Sequence, residues 1–299
     1  MDEGRKPTSC ICAAILTACV VALLLLTCRR PDRSTRIGVS RGTLVLVLPS
    51  RVGLVICADK RKWNKLEGED DHADKIHQLS PRAVFAISGD ESLLVPNADR
   101  LETVFSLTAS AQSVYKRGGL CDTDQGWNQF ANSLKTEYES AHRTHGAPIE
   151  TTPGSQDGVV WEIVFLYLRH KQPTMKTVEY RLGGTVTVSS LPAHPYITGE
   201  TAVALRILRP QFYSDQRFSD LWGNAQIYRA WNFGAEGYPA NVSLDDALFL
   251  AHTFIRASNE RMHLIVDGPN LVGPTCDCGL LSKASDFRWL ERDRDTRVP

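Results

Sequence analysis

Net charge and internal repeats are both missing from this chain of 299 residues. Lysine and arginine together number 34, as do aspartate and glutamate, so the formal net charge at pH 7 is zero. Nucleic-acid-binding surfaces need a basic excess, which this composition does not supply. A hydrophobic fraction of 42% is nevertheless enough to bury a full core. The composition predicts a globular protein of one large or two small domains, without nucleic acid as a partner.

Metal-ligand spacing is also lacking. The eight histidines are scattered along the chain, and Cys276 and Cys278 are separated by one residue, whereas a zinc knuckle needs at least two. Half of the eight cysteines lie in or beside the apolar N-terminal segment. Cys57 shares a strand face with Asp59 and is interpreted as core filler. We therefore predict no metal, no cofactor and no disulfide scaffold.

The N-terminus differs in composition from the rest of the chain. Residues 10–28 carry no charge, follow Arg5 and Lys6, and are long enough to span a bilayer. This predicts an export signal or a membrane anchor, with an uncleaved signal anchor favoured. The arginines that follow the segment favour a cytoplasmic location for the rest of the chain under the positive-inside rule, which conflicts with export. The side of the membrane therefore stays open. Residues 1–42 are interpreted as this segment plus a linker or propeptide, and residues 43–299 as the folded domain.

Chemically useful side chains stand at the ends of the first predicted strands. Thr43 follows Gly42 and opens an apolar strand, and Asp59 and Arg61 end the next one. Lys75 lies in a turn, and Gly89 closes the strand 83–89. A threonine, a carboxylate, an ammonium group and a flexible glycine are the components of an amide-cleaving site.

The nucleophile of such a site would be an N-terminal threonine. Cleavage before Thr43 would free its α-amine, with a pKa of about 7.7–8.0, as the base that takes the hydroxyl proton. Lys75 would stabilise the developing alkoxide, and Asp59 would keep that lysine charged and oriented. The Gly89 N–H is a candidate oxyanion donor, because a residue without a Cβ lets a carbonyl approach closely.

The segments 43–48, 53–61, 74–76 and 85–89 resemble the N-terminal half of a proteasome β-type subunit, a member of the N-terminal nucleophile hydrolases. The offsets from Thr43 to Asp59, Arg61, Lys75 and Gly89 are those of that family. Segments 242–260, 268–269 and 287–290 resemble the last helix and closing hairpin of bacterial proteasome-like peptidases. The likeness covers most of residues 43–290.

The resemblance implies further catalytic support for the threonine amine. Proteasome subunits use a Ser-Gly pair and, later, an Asp with a nearby Ser. Here the first region contains Thr198 and Gly199, so Thr198 would supply the hydroxyl. The later acid is either Glu260, which follows Ser258, or Asp267, and the sequence does not decide between them.

The predicted secondary structure begins with a hairpin and then alternates helices with strands. The hairpin covers 43–48 and 53–58, and a further strand covers 83–87. Helices are predicted over 99–116, 125–143, 200–208 and 244–261. The remaining strands cover 159–168, 174–188, 262–266, 276–281 and 287–290. This order fits the α+β, four-layer αββα sandwich of N-terminal nucleophile hydrolases that the resemblance implies, preceded by a hydrophobic N-terminal helix.

The favoured function is a threonine-type hydrolase that cleaves amide bonds, with peptide bonds preferred, through an acyl-enzyme on Thr43. Two alternatives stay open: a non-peptidase acylase on the same fold, and a catalytically silent membrane-anchored homologue that serves assembly. A homo-oligomer is expected, with a ring as one form, because the predicted helices carry more apolar residues than a single face needs. These are Val104, Phe105, Leu107, Phe130, Leu134, Leu248, Phe249 and Leu250.

Overall fold

The structure is a computed structural model that describes residues 38–40, 42, 44–64, 66–97, 100–118, 123–151, 158–191, 195–199, 242–261 and 271–292. Thr43, the apolar segment 10–28 and the segments predicted as a helix at 200–208 and a strand at 262–266 lie outside these residues. Among the described residues, no helix combines the length and the apolar character needed to cross a bilayer.

One five-stranded antiparallel sheet carries the start of the predicted catalytic domain. Its strands, in spatial order, are β13 (Tyr196–Gly199), β2 (Leu44–Ser50), β3 (Gly53–Asp59), β14 (Cys276–Ser282) and β15 (Arg288–Glu291). β2 and β3 form the predicted hairpin, with Ser50 paired to Gly53. Every residue of β3 is buried. A continuous apolar run of this kind is typical of a strand covered on both faces.

The second five-stranded sheet is also antiparallel. Its strands, in spatial order, are β12 (Thr185–Leu191), β11 (Gln172–Arg181), β10 (Val159–Arg169), β7 (Ala83–Gly89) and β6 (Ile76–Ser80). The predicted single strand over 174–188 is therefore wrong. It is divided by a turn that contains Gly183 and Gly184, both with positive φ, into the two paired strands β11 and β12.

Two small sheets complete the described strands. One consists of β1 (Gly38–Ser40), β8 (Ser92–Asn97) and β9 (Arg100–Ser106), and the other of β4 (Lys62–Asn64) and β5 (Gly68–Asp70). The helix predicted to begin at residue 99 is wrong in its first half, because residues 100–106 pair with β8 as a strand. The chain becomes helical only at Leu107.

The two five-stranded sheets pack face to face through a buried apolar cluster. β2 and β3 contribute Val45, Val47 and Ile56, and the opposite sheet contributes Val84, Ala86, Val164 and Met175. All of these side chains are fully buried. Burial at roughly 25 cal/mol per Å² of apolar surface makes this cluster a principal source of stability.

Three helices occur in the described part of the chain: α1 (Leu107–Gly118), α2 (Asp124–His145) and α3 (Leu244–Arg261). α1 and α2 pack on the second sheet, where Trp127 and Leu134 meet Phe85 and Phe165. α3 packs on the first sheet. Its N-terminus is capped by Ser243, whose Oγ accepts a hydrogen bond from Asp246 N at 3.1 Å.

The predicted four-layer αββα sandwich is wrong. The structure consists mostly of antiparallel sheets, with 49% strand, 27% helix and three helices in the described residues. Full helical layers would need more helix than this, and the first sheet is covered in the described part by α3 alone. Part of the predicted helix content, residues 100–106, forms β9 instead.

The prediction that the cysteines form no disulfide is also wrong. Cys57 on β3 and Cys278 on β14 face each other in the strand register and are joined by a disulfide. They are 221 residues apart in the sequence. Cys57 does lie in the apolar core beside α3, as predicted, but it also cross-links the two strands there.

Candidate functional site

Asp59 is the buried anchor of the site. It ends β3, is fully inaccessible to solvent, and accepts three backbone hydrogen bonds. Leu44 N donates to Oδ1 at 2.6 Å, while Arg61 N and Gly273 N donate to Oδ2 at 2.9 and 2.8 Å. Burial raises the pKa of Asp59, and attraction to Lys75 and the three backbone bonds oppose that rise. The carboxylate therefore ties the residue that follows Thr43 to two other chain segments.

Gly273 brings its N–H to Asp59 by a close backbone approach. A Cβ on Gly273 would lie 2.9 Å from Arg61 N and 3.0 Å from Arg61 Cβ. A side chain at this position would push the two segments apart and weaken the hydrogen bond to Asp59. Sequence reasoning missed Gly273, and its only signal was the turn-forming pair that it makes with Pro274.

Lys75 lies just before β6 and is 2% exposed. Its Nζ is 3.4 Å from the carbonyl oxygen of Gly42 and 3.6 Å from Oε2 of Glu91. Thr43 lies outside the described residues, but both of its neighbours are held here, Gly42 by Lys75 and Leu44 by Asp59. The peptide that would have to be cleaved before Thr43 thus has its carbonyl beside an ammonium group.

Glu91 is a member of the site that sequence reasoning missed. It is 9% exposed and its Oε2 also lies 3.8 Å from Lys62 Nζ. Burial by itself raises the pKa of Glu91, but Lys75, Lys62 and His77 together outweigh burial and hold the pKa below its usual value. Among the described residues, the carboxylate that forms an ion pair with Lys75 Nζ within 4 Å belongs to Glu91 and not to Asp59.

Arg61 joins the site through its backbone. Its N–H binds Asp59, but its guanidinium is directed to Asp71, with Nη2 to Oδ2 at 2.8 Å, and to Glu69, with Nη1 to Oε2 at 3.1 Å. The hydrogen bond to Asp71 is the main reason that the pKa of Arg61 is raised. The Arg61 side chain therefore fixes the turn after β3.

Gly89 ends β7 with a φ of 87°, in the left-handed region that favours glycine. A Cβ at Gly89 would lie 2.2 Å from the carbonyl oxygen of Val160 on the neighbouring strand β10. Packing of β7 against β10 thus requires a glycine at this position, independently of any oxyanion role.

Thr198 belongs to a buried chain of hydroxyl groups around Glu162. It lies on β13, paired with Val45, and its hydroxyl donates to Glu162 Oε2. The Tyr196 hydroxyl donates to the other carboxylate oxygen, and Ser88 Oγ lies 3.0 Å from Thr198 Oγ1. Thr198 is thereby placed beside Val45 of β2, and Val45 follows Thr43 by two residues in the sequence.

Glu162 is fully desolvated, and this burial raises its pKa to about 7 against the lowering effect of the two hydroxyl donors. Sequence reasoning missed it. The available signal was one acidic residue inside the apolar run 159–168, where an unpartnered charge would be costly.

No described contact brings the later catalytic acid that the resemblance implies to the cluster around Asp59 and Lys75. Glu260 lies exposed in the last turn of α3. Asp267, the other candidate, lies outside the described residues. Ser258 is fully buried, and its hydroxyl has no hydrogen-bond partner among the described residues.

Comparison with known proteins identifies no family. No family model matches the chain, and no curated protein matches it significantly.

Proposed function

We propose that this protein is a threonine-type N-terminal nucleophile hydrolase that cleaves amide bonds, with peptide bonds preferred, after autocatalytic cleavage between Gly42 and Thr43. The observation that carries the proposal is the 3.4 Å contact between Lys75 Nζ and the Gly42 carbonyl oxygen. This ammonium group is buried, so its charge acts on that carbonyl with little screening by water.

Processing begins at the Gly42 carbonyl. The Thr43 hydroxyl attacks the carbonyl carbon, a C–O bond forms, and the C–N bond to Thr43 breaks to leave an ester. The negative charge that develops on the Gly42 oxygen is stabilised by Lys75. The hydroxyl proton passes to the departing nitrogen, which becomes the free α-amine of Thr43. Water then hydrolyses the ester, which releases residues 1–42 with a new carboxylate and restores the Thr43 hydroxyl.

Substrate cleavage repeats the same chemistry. The freed amine takes the Thr43 hydroxyl proton, the oxygen attacks the substrate carbonyl, and the amine of the substrate leaves with that proton. Water hydrolyses the acyl-enzyme ester. Lys75 stabilises the alkoxide, and Gly89 N–H is the proposed oxyanion donor. Asp59 acts as a positioning residue, since it holds Leu44 N and attracts Lys75.

Thr198 is proposed to support the amine through its hydroxyl. Its proton is directed to Glu162, so it can accept a hydrogen bond from a group on β2 while it donates to the carboxylate. Glu260 is not assigned a catalytic role by this geometry.

The proposal includes a membrane and an assembly. Residues 10–28 would attach the unprocessed chain to a bilayer, and cleavage at residue 42 would release the domain. Leu248 and Phe249 on α3 pack against the core of their own chain but are only partly buried there. A homo-oligomer, with a closed ring as the expected form, would cover them.

The test is amide hydrolysis by Thr43 variants on a panel of peptides and small acyl amides. Thr43→Ala should abolish hydrolysis, Thr43→Ser should retain part of it, and Thr185→Ala, at an exposed position on β12, should leave it unchanged. Preference for acyl amides would favour an acylase. Full activity of Thr43→Ala would overturn the mechanism, and wild-type protein that cleaves neither substrate nor itself would indicate a silent homologue.

A further inference from the structure

A second cluster of reactive side chains lies where α3 covers β14 and β15. Cys276 Sγ is 3.4 Å from His252 Nδ1, and these two atoms and Cys278 Sγ all lie within 4.8 Å of one another. Cys276 and Cys278 are two residues apart on β14, so both face α3. Cys57, on β3, is bonded to Cys278 and so adjoins the cluster, although its sulfur is not one of the three grouped donor atoms.

The spacing of these atoms suits a tetrahedral metal ion. Zinc binds sulfur at about 2.3 Å and imidazole nitrogen at about 2.0–2.1 Å, which places neighbouring ligand atoms roughly 3.5–4 Å apart. The three donor atoms need to move by about 1 Å or less to reach that separation. Thiolate and imidazole ligands also favour zinc over calcium or magnesium, which bind oxygen ligands instead.

His252 has the second partner that a metal-binding histidine needs. Its other ring nitrogen, Nε2, lies 2.6 Å from Oε2 of Glu291 on β15. A carboxylate on the distal nitrogen fixes the tautomer that leaves the Nδ1 lone pair free for a metal. The side chains of His252 and Glu291 are 43% and 46% exposed, so an ion can enter from solvent on this side.

We propose that reduction of the Cys57–Cys278 disulfide converts this cluster into a zinc site with Cys57, Cys276, Cys278 and His252 as ligands. A dithiol reductant supplies two electrons and two protons to the disulfide and becomes a disulfide itself. Zinc then displaces one proton from each of the three cysteine thiols, and His252 binds through Nδ1 as the neutral imidazole.

The disulfide in the oxidised protein and the zinc ion in the reduced protein would each hold β3 and β14 together. Cys278 is the register partner of Cys57, and Cys276 is the register partner of Asp59. The link between β3 and β14 beside Asp59 would thus persist under reducing conditions as long as zinc is present.

The experiment measures bound zinc in the full-length protein after dialysis, with and without a phosphine reductant, and repeats the titration with cobalt to detect thiolate coordination. We expect one zinc per reduced chain and none per oxidised chain. Cys276→Ser and His252→Ala should each weaken zinc binding at least tenfold, and Glu291→Gln should weaken it roughly 10–100-fold. Cys121→Ser removes a cysteine outside the ligand set and should change nothing.

Cys57→Ser provides a variant that needs no reductant. It leaves Cys278 unpaired beside Cys276 and His252, so it should bind zinc under air-free conditions without reductant, more weakly than reduced wild-type protein. Far-UV circular dichroism accompanies each titration. If reduction unfolds the chain, zinc should restore the fold.

Three results would overturn the site: a reduced chain that binds no zinc or is not refolded by it, zinc binding as tight in Cys276→Ser as in the wild-type protein, or equal binding by the oxidised chain. None of these readouts depends on amide hydrolysis.

Discussion

Replacement of Glu162 by glutamine should change how stability depends on pH. The carboxyl group is buried between the second sheet and β13 and receives hydrogen bonds from Tyr196 and Thr198. Glutamine has nearly the same shape and cannot ionise, so Glu162→Gln mimics the protonated acid. The variant therefore isolates the effect of ionisation at this position.

The direction follows from the raised pKa. The pKa of Glu162 rises from its usual 4.5 to about 7 in the folded protein, so the folded state holds the proton more tightly than the unfolded state. The stability contributed by this proton is full below about pH 4.5 and is lost as the pH rises through 7. The difference between the two pKa values corresponds to about 3 kcal/mol, most of it between about pH 5 and pH 8.

Urea unfolding followed by tryptophan fluorescence measures this effect, because Trp161, next to Glu162, is fully buried. The wild-type protein should lose roughly 2–3 kcal/mol more than Glu162→Gln between about pH 5 and pH 8. Glu102→Gln, at an exposed position on β9, should follow the wild-type protein. If Glu162→Gln shows the wild-type pH dependence, Glu162 is not held protonated by burial and the reasoning fails.

Three further predictions concern the site and the assembly. Lys75→Ala and Asp59→Asn should each lower turnover more than tenfold, which corresponds to at least about 1.4 kcal/mol in the activation barrier, and Lys75→Arg should not restore turnover. Lys116→Ala, at an exposed position, is the control. Wild-type rates in Lys75→Ala and Asp59→Asn would show that the two residues are purely structural. Gly273→Ala should weaken the anchoring of Asp59 and lower thermal stability by about 1 kcal/mol or more, since its Cβ would lie 2.9 Å from Arg61 N; an unchanged melting temperature would show that the loop moves without cost. Light scattering of the processed protein should give an oligomer mass, and a concentration-independent monomer mass would remove the ring.

The parts of the fold that the sequence could predict were those with strong local patterns. The continuous apolar runs of β2, β3 and β10 and the helical period of α2 and α3 each matched the structure over most of their length. β9 could not be found this way, because residues 100–106 become a strand only by pairing with β8. Pairing partners are a tertiary property that a single segment does not encode.

The same limit applies to the site. Asp59 and Lys75 were found because Asp59 ends an apolar strand, Lys75 lies in a turn, and both stand at offsets from Thr43 that resemble those of a known family. Glu91, Gly273 and the disulfide partner of Cys57 were not, since each depends on which distant segment approaches. The strand register that brings Cys278 opposite Cys57 pairs two segments that are 221 residues apart in the sequence.

The central claim is that Thr43 becomes the N-terminus and then acts as the nucleophile. Intact mass and N-terminal sequencing of the protein purified from its native source test it most directly. The account predicts a chain that begins at Thr43, and a Thr43→Ala chain that keeps the bond between residues 42 and 43. An active protein in which that bond is intact would contradict the account.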